Sequence, residues 1–144
     1  MIFLEDVIAG LSLPQKSLPP KYFYDAAGKL FLLEEGFARL RDYAKRTGLA
    51  PQTKNTLTQL VLLERDLERI QQQGWATDNE EAEIGVRCVA AGIRDDTGRL
   101  VAALSLSTPA DRMKLQWGPL VKETADRISQ NIGHRPPLAK IGAH

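Results

Sequence analysis

Apolar residues fall into helical spacing from about Phe31 onward. Leu33, Phe37, Leu40 and Ala44 recur at intervals of four and three, which predicts one helix with a single buried stripe. Gly48 is its expected stop, and Lys45 and Arg46 occupy the last turn, where the helix dipole favours cations. A second stripe, Leu60, Leu63, Leu67 and Ile70, predicts a helix with Thr58 as N-cap and Gly74 as left-handed stop. Its pairs Arg65 with Glu68 and Asp66 with Arg69 are expected on the wet side. The period then changes to two. Residues 75–78 and 84–94 predict two strands around an acidic loop, 78–83, and 99–107 predict a third, stopped by Pro109. Asp95-Asp96-Thr97-Gly98 is a tight-turn signal between the last two. A final helix is expected over 115–132, with Trp117, Leu120, Val121, Thr124, Ile128 and Ile132 on one face and Gly133 closing it.

The two ends lack this regularity. Residues 1–28 carry Pro14, Pro19, Pro20, Gly10 and Gly28, which break long elements, so they are expected to form an arm. That arm has at most a short helix over 4–9, and Tyr22, Phe23 and Tyr24 are placed to anchor it on a core. Residues 134–144, with Pro136 and Pro137, are expected to be a flexible tail. Between them, 29–133 form the expected folded domain.

Composition narrows the function classes. The chain has 144 residues, 43% hydrophobic and 26% charged, which suits one globular domain. A net charge of +1 gives no field directed at nucleic acid or an anionic membrane. The run Leu60-Val61-Leu62-Leu63 is far short of the roughly 20 apolar residues a membrane helix needs. The start, Met1-Ile2-Phe3-Leu4-Glu5-Asp6, lacks a signal peptide's basic flank. A lone cysteine, Cys88, forms no intrachain disulfide, and a cytoplasmic location is the expectation.

The hairpin carries the candidate chemistry. If the turn is centred on Asp96-Thr97, Cys88 lies opposite Ser105 and Val86 opposite Ser107. One face then holds Val86, Cys88, Ala90, Val101, Ala103, Ser105 and Ser107. The other holds Val89, Ala91, Ile93, Leu100, Ala102, Leu104 and Leu106, and is uniformly apolar. A small, mixed face has two explanations. It is a solvated sheet surface, or it is the floor of a pocket whose hydroxyls and thiol hydrogen-bond a ligand. Asp78 would add an acceptor at the rim of such a pocket.

At these residues a resemblance becomes specific. The run Gly74-Trp75-Ala76-Thr77-Asp78-Asn79-Glu80-Glu81-Ala82-Glu83-Ile84-Gly85-Val86-Arg87-Cys88-Val89-Ala90 resembles the signature of IclR-family effector domains. So do Asp95-Asp96-Thr97-Gly98-Arg99, Ala102-Ala103-Leu104-Ser105-Leu106-Ser107 and Arg112, and upstream Gly28-Lys29, Gly48-Leu49, Thr53 and Thr56-Leu57. The resemblance implies an α/β (α+β), GAF-like domain, an antiparallel sheet flanked by helices, that binds a small keto or aromatic acid and uses no cofactor. It implies Asp78, Cys88, Ser105 and Ser107 as ligand contacts, with a small-residue helix start at Ala26 and Ala27. Relative to the family pattern, the DNA-binding domain, the early strands and the first long helix of the sensing domain are missing. The fold is therefore expected to be truncated on its N-terminal side, with no DNA contact of its own and an exposed sheet edge. The arm or a partner chain, in a homo-oligomer or with intact regulator subunits, is expected to cover that edge. Within the arm, Gly10-Leu11-Ser12, Pro14-Gln15-Lys16 and Leu18-Pro19-Pro20-Lys21-Tyr22-Phe23-Tyr24-Asp25 resemble the opening of the histidine methyltransferases of ergothioneine synthesis.

Other readings have less to stand on. A Cys88 nucleophile would need a base, and the only histidines, His134 and His144, lie in the tail, so no enzyme activity is expected. A metal site at Asp78, Glu80, Glu81, Glu83 and Cys88 lacks the spacing of a calcium loop. Arg39, Arg41, Lys45 and Arg46 share a helix with Asp42 beside Glu34 and Glu35, which dilutes any phosphate grip. Two alternatives to sensing remain: an interaction module that oligomerises without a ligand, and a methyltransferase fragment.

Overall fold

A computed structural model describes residues 7–136. Four antiparallel strands form one sheet in the order β1-β4-β3-β2: β1 (Ile8–Ser12), β2 (Ala76–Asn79), β3 (Val86–Arg94) and β4 (Leu100–Pro109). Helices α1 (Ala26–Glu35), α2 (Phe37–Thr47) and α3 (Leu60–Gln73) share a core with the face of Ala76, Ala90 and Ala103. Helix α4 (Trp117–Asn131) covers the opposite face through Val121 and Ala125 against Val89, Ala91, Ile93 and Ala102. Helices therefore cover both faces, and the small, mixed face is roofed as well as the apolar one.

The single helix expected around Phe31 is two. Gly36, at φ +94°, ends α1 and opens α2. Helix α1 begins at Ala26, before the apolar period becomes visible, because Ala26 through Leu32 are all buried. A helix surrounded by protein has no polar face to produce a period. Gly48 and Gly74 do end their helices in the left-handed conformation. The N-cap of α3 is Gln59 rather than Thr58. Asp66 is buried rather than on the wet side. In α4 the buried face is Gly118, Val121, Ala125 and Ser129, rotated from the expected stripe, so Leu120 and Ile132 are exposed.

Strand β1 fills the outer edge of β4, with Ile8 opposite Ser107, Gly10 opposite Ser105 and Ser12 opposite Ala103. Of the short helix expected over 4–9, positions 8 and 9 are strand, and 1–6 lie outside the described residues, as do 137–144 of the expected tail. Tyr22 and Phe23 are buried in the core shared by α1–α3. The connection to them is pinned: Tyr43 Oη donates to the carbonyls of Pro19 and Pro20, and Arg46 Nη2 to those of Ser17 and Leu18. No helix among the described residues is long and apolar enough to cross a membrane.

Candidate functional site

The β3–β4 ladder differs from the expected register by two residues over most of its length. Cys88 lies opposite Ser107, Ala90 opposite Ser105 and Val86 opposite Pro109. One extra residue enters at the turn, where the Asp95 amide donates to the Arg99 carbonyl. A second enters at a bulge, where the register shifts between Ile93 and Arg94 and Val101 is left between paired positions. Two one-residue shifts restore the alternation of faces. Cys88, Ser105 and Ser107 therefore keep the common face expected of them. Beyond the bulge, Leu100 joins the α1–α3 core and Val101 packs toward α4, the reverse of the expected assignment.

On that face Cys88 Sγ and Ser107 Oγ are 3.0 Å apart. Asp78 pairs with Cys88 from the other side, through β2. Thus β2, β3 and β4 bring Asp78, Cys88 and Ser107 into one cross-strand row, with Ser105 two residues along β4. Cys88, Ser105 and Ser107 are half-buried, whereas Asp78 is buried. Val86, half-buried, is two residues from Cys88 along the same face of β3.

The start of α1 belongs to the same neighbourhood. Asp25 caps the helix, its Oδ2 accepting from the Gly28 amide at 3.0 Å. Ala26 and Ala27, both buried, form the first turn, whose amides precede any acceptor within the helix. Gly28 allows a close crossing: a Cβ there would lie 2.5 Å from Tyr22 Cα.

Burial dominates the electrostatics. It pushes the Asp78 carboxyl up to about 6, opposed by the Glu81 amide that donates to Asp78 Oδ1 at 2.7 Å. Burial also raises Asp25, against the Gly28 hydrogen bond, and raises the Cys88 thiol, against the hydrogen bond with Ser107. The Asp78 and Asp25 charges push the thiol further up. The site thus combines two hydroxyls and a thiol able to donate, two carboxyls that burial makes easier to protonate than usual, and the first turn of a helix, whose amides have no acceptor within the helix.

Behind this row is a cluster that the sequence reading did not single out as functional. Lys29, on α1, has no solvent exposure. Its Nζ donates to Asp66 Oδ2 at 2.7 Å, to the Thr77 carbonyl at 2.8 Å and to Glu81 Oε1 at 2.8 Å. Arg69 pairs with the other oxygen of Asp66. The Glu81 carboxylate, counted earlier among possible metal ligands, is thus committed to Lys29. A groove of about 510 Å³ lies beside this cluster, lined by Leu57, Leu62, Arg65, Asp66, Arg69 and Glu81 among others, and shares none of the sequence-predicted site residues.

A sheet with helices on both faces and a polar row beneath a helix start defines a GAF-like α+β domain. Comparison with known proteins gives the class a name. Residues 20–132 match the family described as bacterial transcriptional regulator IclR C-terminal. The chain belongs to the IclR family of transcriptional regulators, whose members are transcription factors rather than enzymes. It is 40% identical over 117 residues to the HTH-type transcriptional repressor AllR of Salmonella typhi, covering 78% of this chain but only 43% of that protein. Its fold matches the C-terminal domain of the E. coli regulator KdgR with a TM-score of 0.76, at 27% identity, over 91% of this chain and 90% of that one. The inducer-binding domain of PobR from Acinetobacter, solved as a double mutant with 3-hydroxybenzoic acid, superimposes with a TM-score of 0.67 at 24% identity. That superposition spans 75% of this chain and 65% of PobR's.

Proposed function

We propose that this domain senses a small organic acid, keto or aromatic, and that the ligand's occupancy controls DNA binding by another domain of the regulator. The observation that carries this reading is the row Asp78, Cys88, Ser107, with Ser105 beside it, on a sheet face covered by the start of α1. Serine hydroxyls and the first-turn amides at Ala26 and Ala27 are donors suited to a carboxylate. Val86 supplies an apolar edge, and Asp78 accepts from a hydroxyl elsewhere on the ligand. That a related inducer-binding domain was solved with a hydroxybenzoic acid supports the ligand class. A cytoplasmic location goes with this reading.

A thermal-shift screen of keto and aromatic acids tests it. At least one is expected to raise the melting temperature in a concentration-dependent way, because a ligand that binds only the folded state stabilises it. A flat response across the library would reject sensing.

One observation favours a second reading, association without a ligand. The outer edge of β1 is unpaired among the described residues, carries no charge, and exposes Ile8 at 70% and Leu11 at 66%. Sedimentation showing a concentration-dependent dimer together with a flat ligand screen would favour it.

A further inference from the structure

We infer that Lys29 is the positioning residue of the effector site: without reaching the ligand-facing row, it fixes the backbone on both sides of Asp78. This rests on the effector-site reading above.

Thr77 immediately precedes Asp78, and its carbonyl accepts from Lys29 Nζ at 2.8 Å. Asn79 immediately follows, and its amide donates to Glu81 Oε2 at 3.0 Å. Glu81 is itself held by Lys29, at 2.8 Å to Oε1 and 3.0 Å to Oε2. The Glu81 amide closes the loop by donating to Asp78 Oδ1. One ammonium therefore clamps both neighbours of Asp78 and the residue that hydrogen-bonds its carboxylate. Glu80, inside this loop, has a φ of +60°, a conformation an L-residue adopts only when its surroundings impose it. The same Lys29 is one residue beyond Gly28, at the close crossing over Tyr22 that sets the first turn of α1. Both walls of the site, the helix start and the Asp78 strand, are thus referenced to one side chain.

A purely structural ion cluster would treat its members alike, whereas this arrangement does not. Asp66 and Glu81 are both buried and both pair with Lys29, yet only Glu81 lies on the path to Asp78. The alkylation rate of Cys88 by iodoacetamide reports on the Asp78 strand beside it, because burial first, and the Asp78 carboxylate to a smaller degree, hold the thiol from ionising. This readout needs no effector, so it is independent of whether the domain senses an acid.

The full chain carrying Lys29→Met, Glu81→Gln or Asp66→Asn is compared with the parent for Cys88 alkylation at about pH 8, where some thiolate forms, and for melting temperature. Lys29→Met and Glu81→Gln are expected to speed alkylation by roughly five-fold as the loosened Asp78 strand uncovers the thiol and takes its charge away from it. Asp66→Asn is expected to lower the melting temperature while changing the rate less than about two-fold. If Lys29→Met does not fold, the Glu81→Gln and Asp66→Asn pair decides. Equal acceleration by those two, or none from Glu81→Gln in a folded protein, overturns the proposal.

Discussion

Cys88 and Ser107 face each other across the central strand pair, Sγ 3.0 Å from Oγ, and Asp78 completes the row from the far side of Cys88. If the Cys88 thiol donates to Ser107 Oγ, the Ser107 hydroxyl proton is free for a ligand; if the hydroxyl donates, an acid that binds here takes that contact over. Replacing Ser107 or Ser105 by Ala removes one hydrogen bond to a charged group, a loss of about 1.5–3 kcal/mol. Affinity for any acid found in the thermal-shift screen is therefore expected to fall roughly ten- to hundred-fold by calorimetry. Unchanged affinity in both variants would move the ligand off this face.

Asp78 makes stability depend on pH. Its carboxyl ionises near 3.8 in the unfolded chain and at about 6 in the folded one. The folded state therefore holds the extra proton, and the stabilisation is complete below about pH 4, falls as pH rises toward 6 and is lost above it. At ~1.4 kcal/mol per pKa unit, the decline is of the order of 1–3 kcal/mol. Asp78→Asn, which keeps an oxygen for the Glu81 amide, is expected to melt higher than the parent above pH 7 and equally near pH 4. Asp25, also raised by burial, leaves some pH dependence in the variant. Melting curves that stay parallel for the two proteins across this range would contradict the assignment.

Lys29 is also a stability element. Arg69, Asp66, Lys29 and Glu81 form a chain of alternating charge with no net excess. Removing the ammonium leaves two buried carboxylates short of a partner, a loss of about 3–5 kcal/mol. Urea unfolding of Lys29→Met should show the midpoint fall with little change in slope. A loss below about 1 kcal/mol, the range of exposed pairs, would mean that water screens the cluster.

The crossing of α1 over the segment before it depends on Gly28. A Cβ at that position would approach the Tyr22 backbone to 2.5 Å, and backbone cannot rotate aside as a side chain can. Gly28→Ala is expected to cost about 1–3 kcal/mol or more through overpacking. Gly36→Ala is the informative comparison, since nothing lies within 4 Å there and any loss comes from its positive φ alone. Chemical denaturation of the two variants separates the effects, and a neutral Gly28→Ala would show that the segment around Tyr22 can shift.

Much of this was legible in the chain, for identifiable reasons. Strands β2, β3 and β4 were readable from their short apolar runs, the turn signal at Asp95–Gly98 and the stop at Pro109, whereas β1 lies where the sequence suggests an arm with a short helix. The common face of Cys88, Ser105 and Ser107 followed from alternation, although their partners did not. Neither the longer turn nor the bulge at Val101 leaves a mark in residue type strong enough to set the register. Their two shifts cancel in parity, so the face assignment held where the pairing did not. Lys29 was not legible as a site residue. A lysine followed by apolar residues reads as a solvated position, and its partners Asp66, Thr77 and Glu81 are 37, 48 and 52 residues away. Only the fold makes them neighbours. The buried start of α1 escaped for a related reason, since enclosure on every side removes the polar half of the pattern.

Gly10 bears on the room beside Ser105. It pairs with Ser105 on the edge strand, and a Cβ there would stand 3.9 Å from the Ser105 hydroxyl. A methyl at this position would sit in ordinary contact with that oxygen. Because β1 comes from the first dozen residues and the hydroxyl from β4, the surroundings of Ser105 are set in part by a segment more than ninety residues away in sequence.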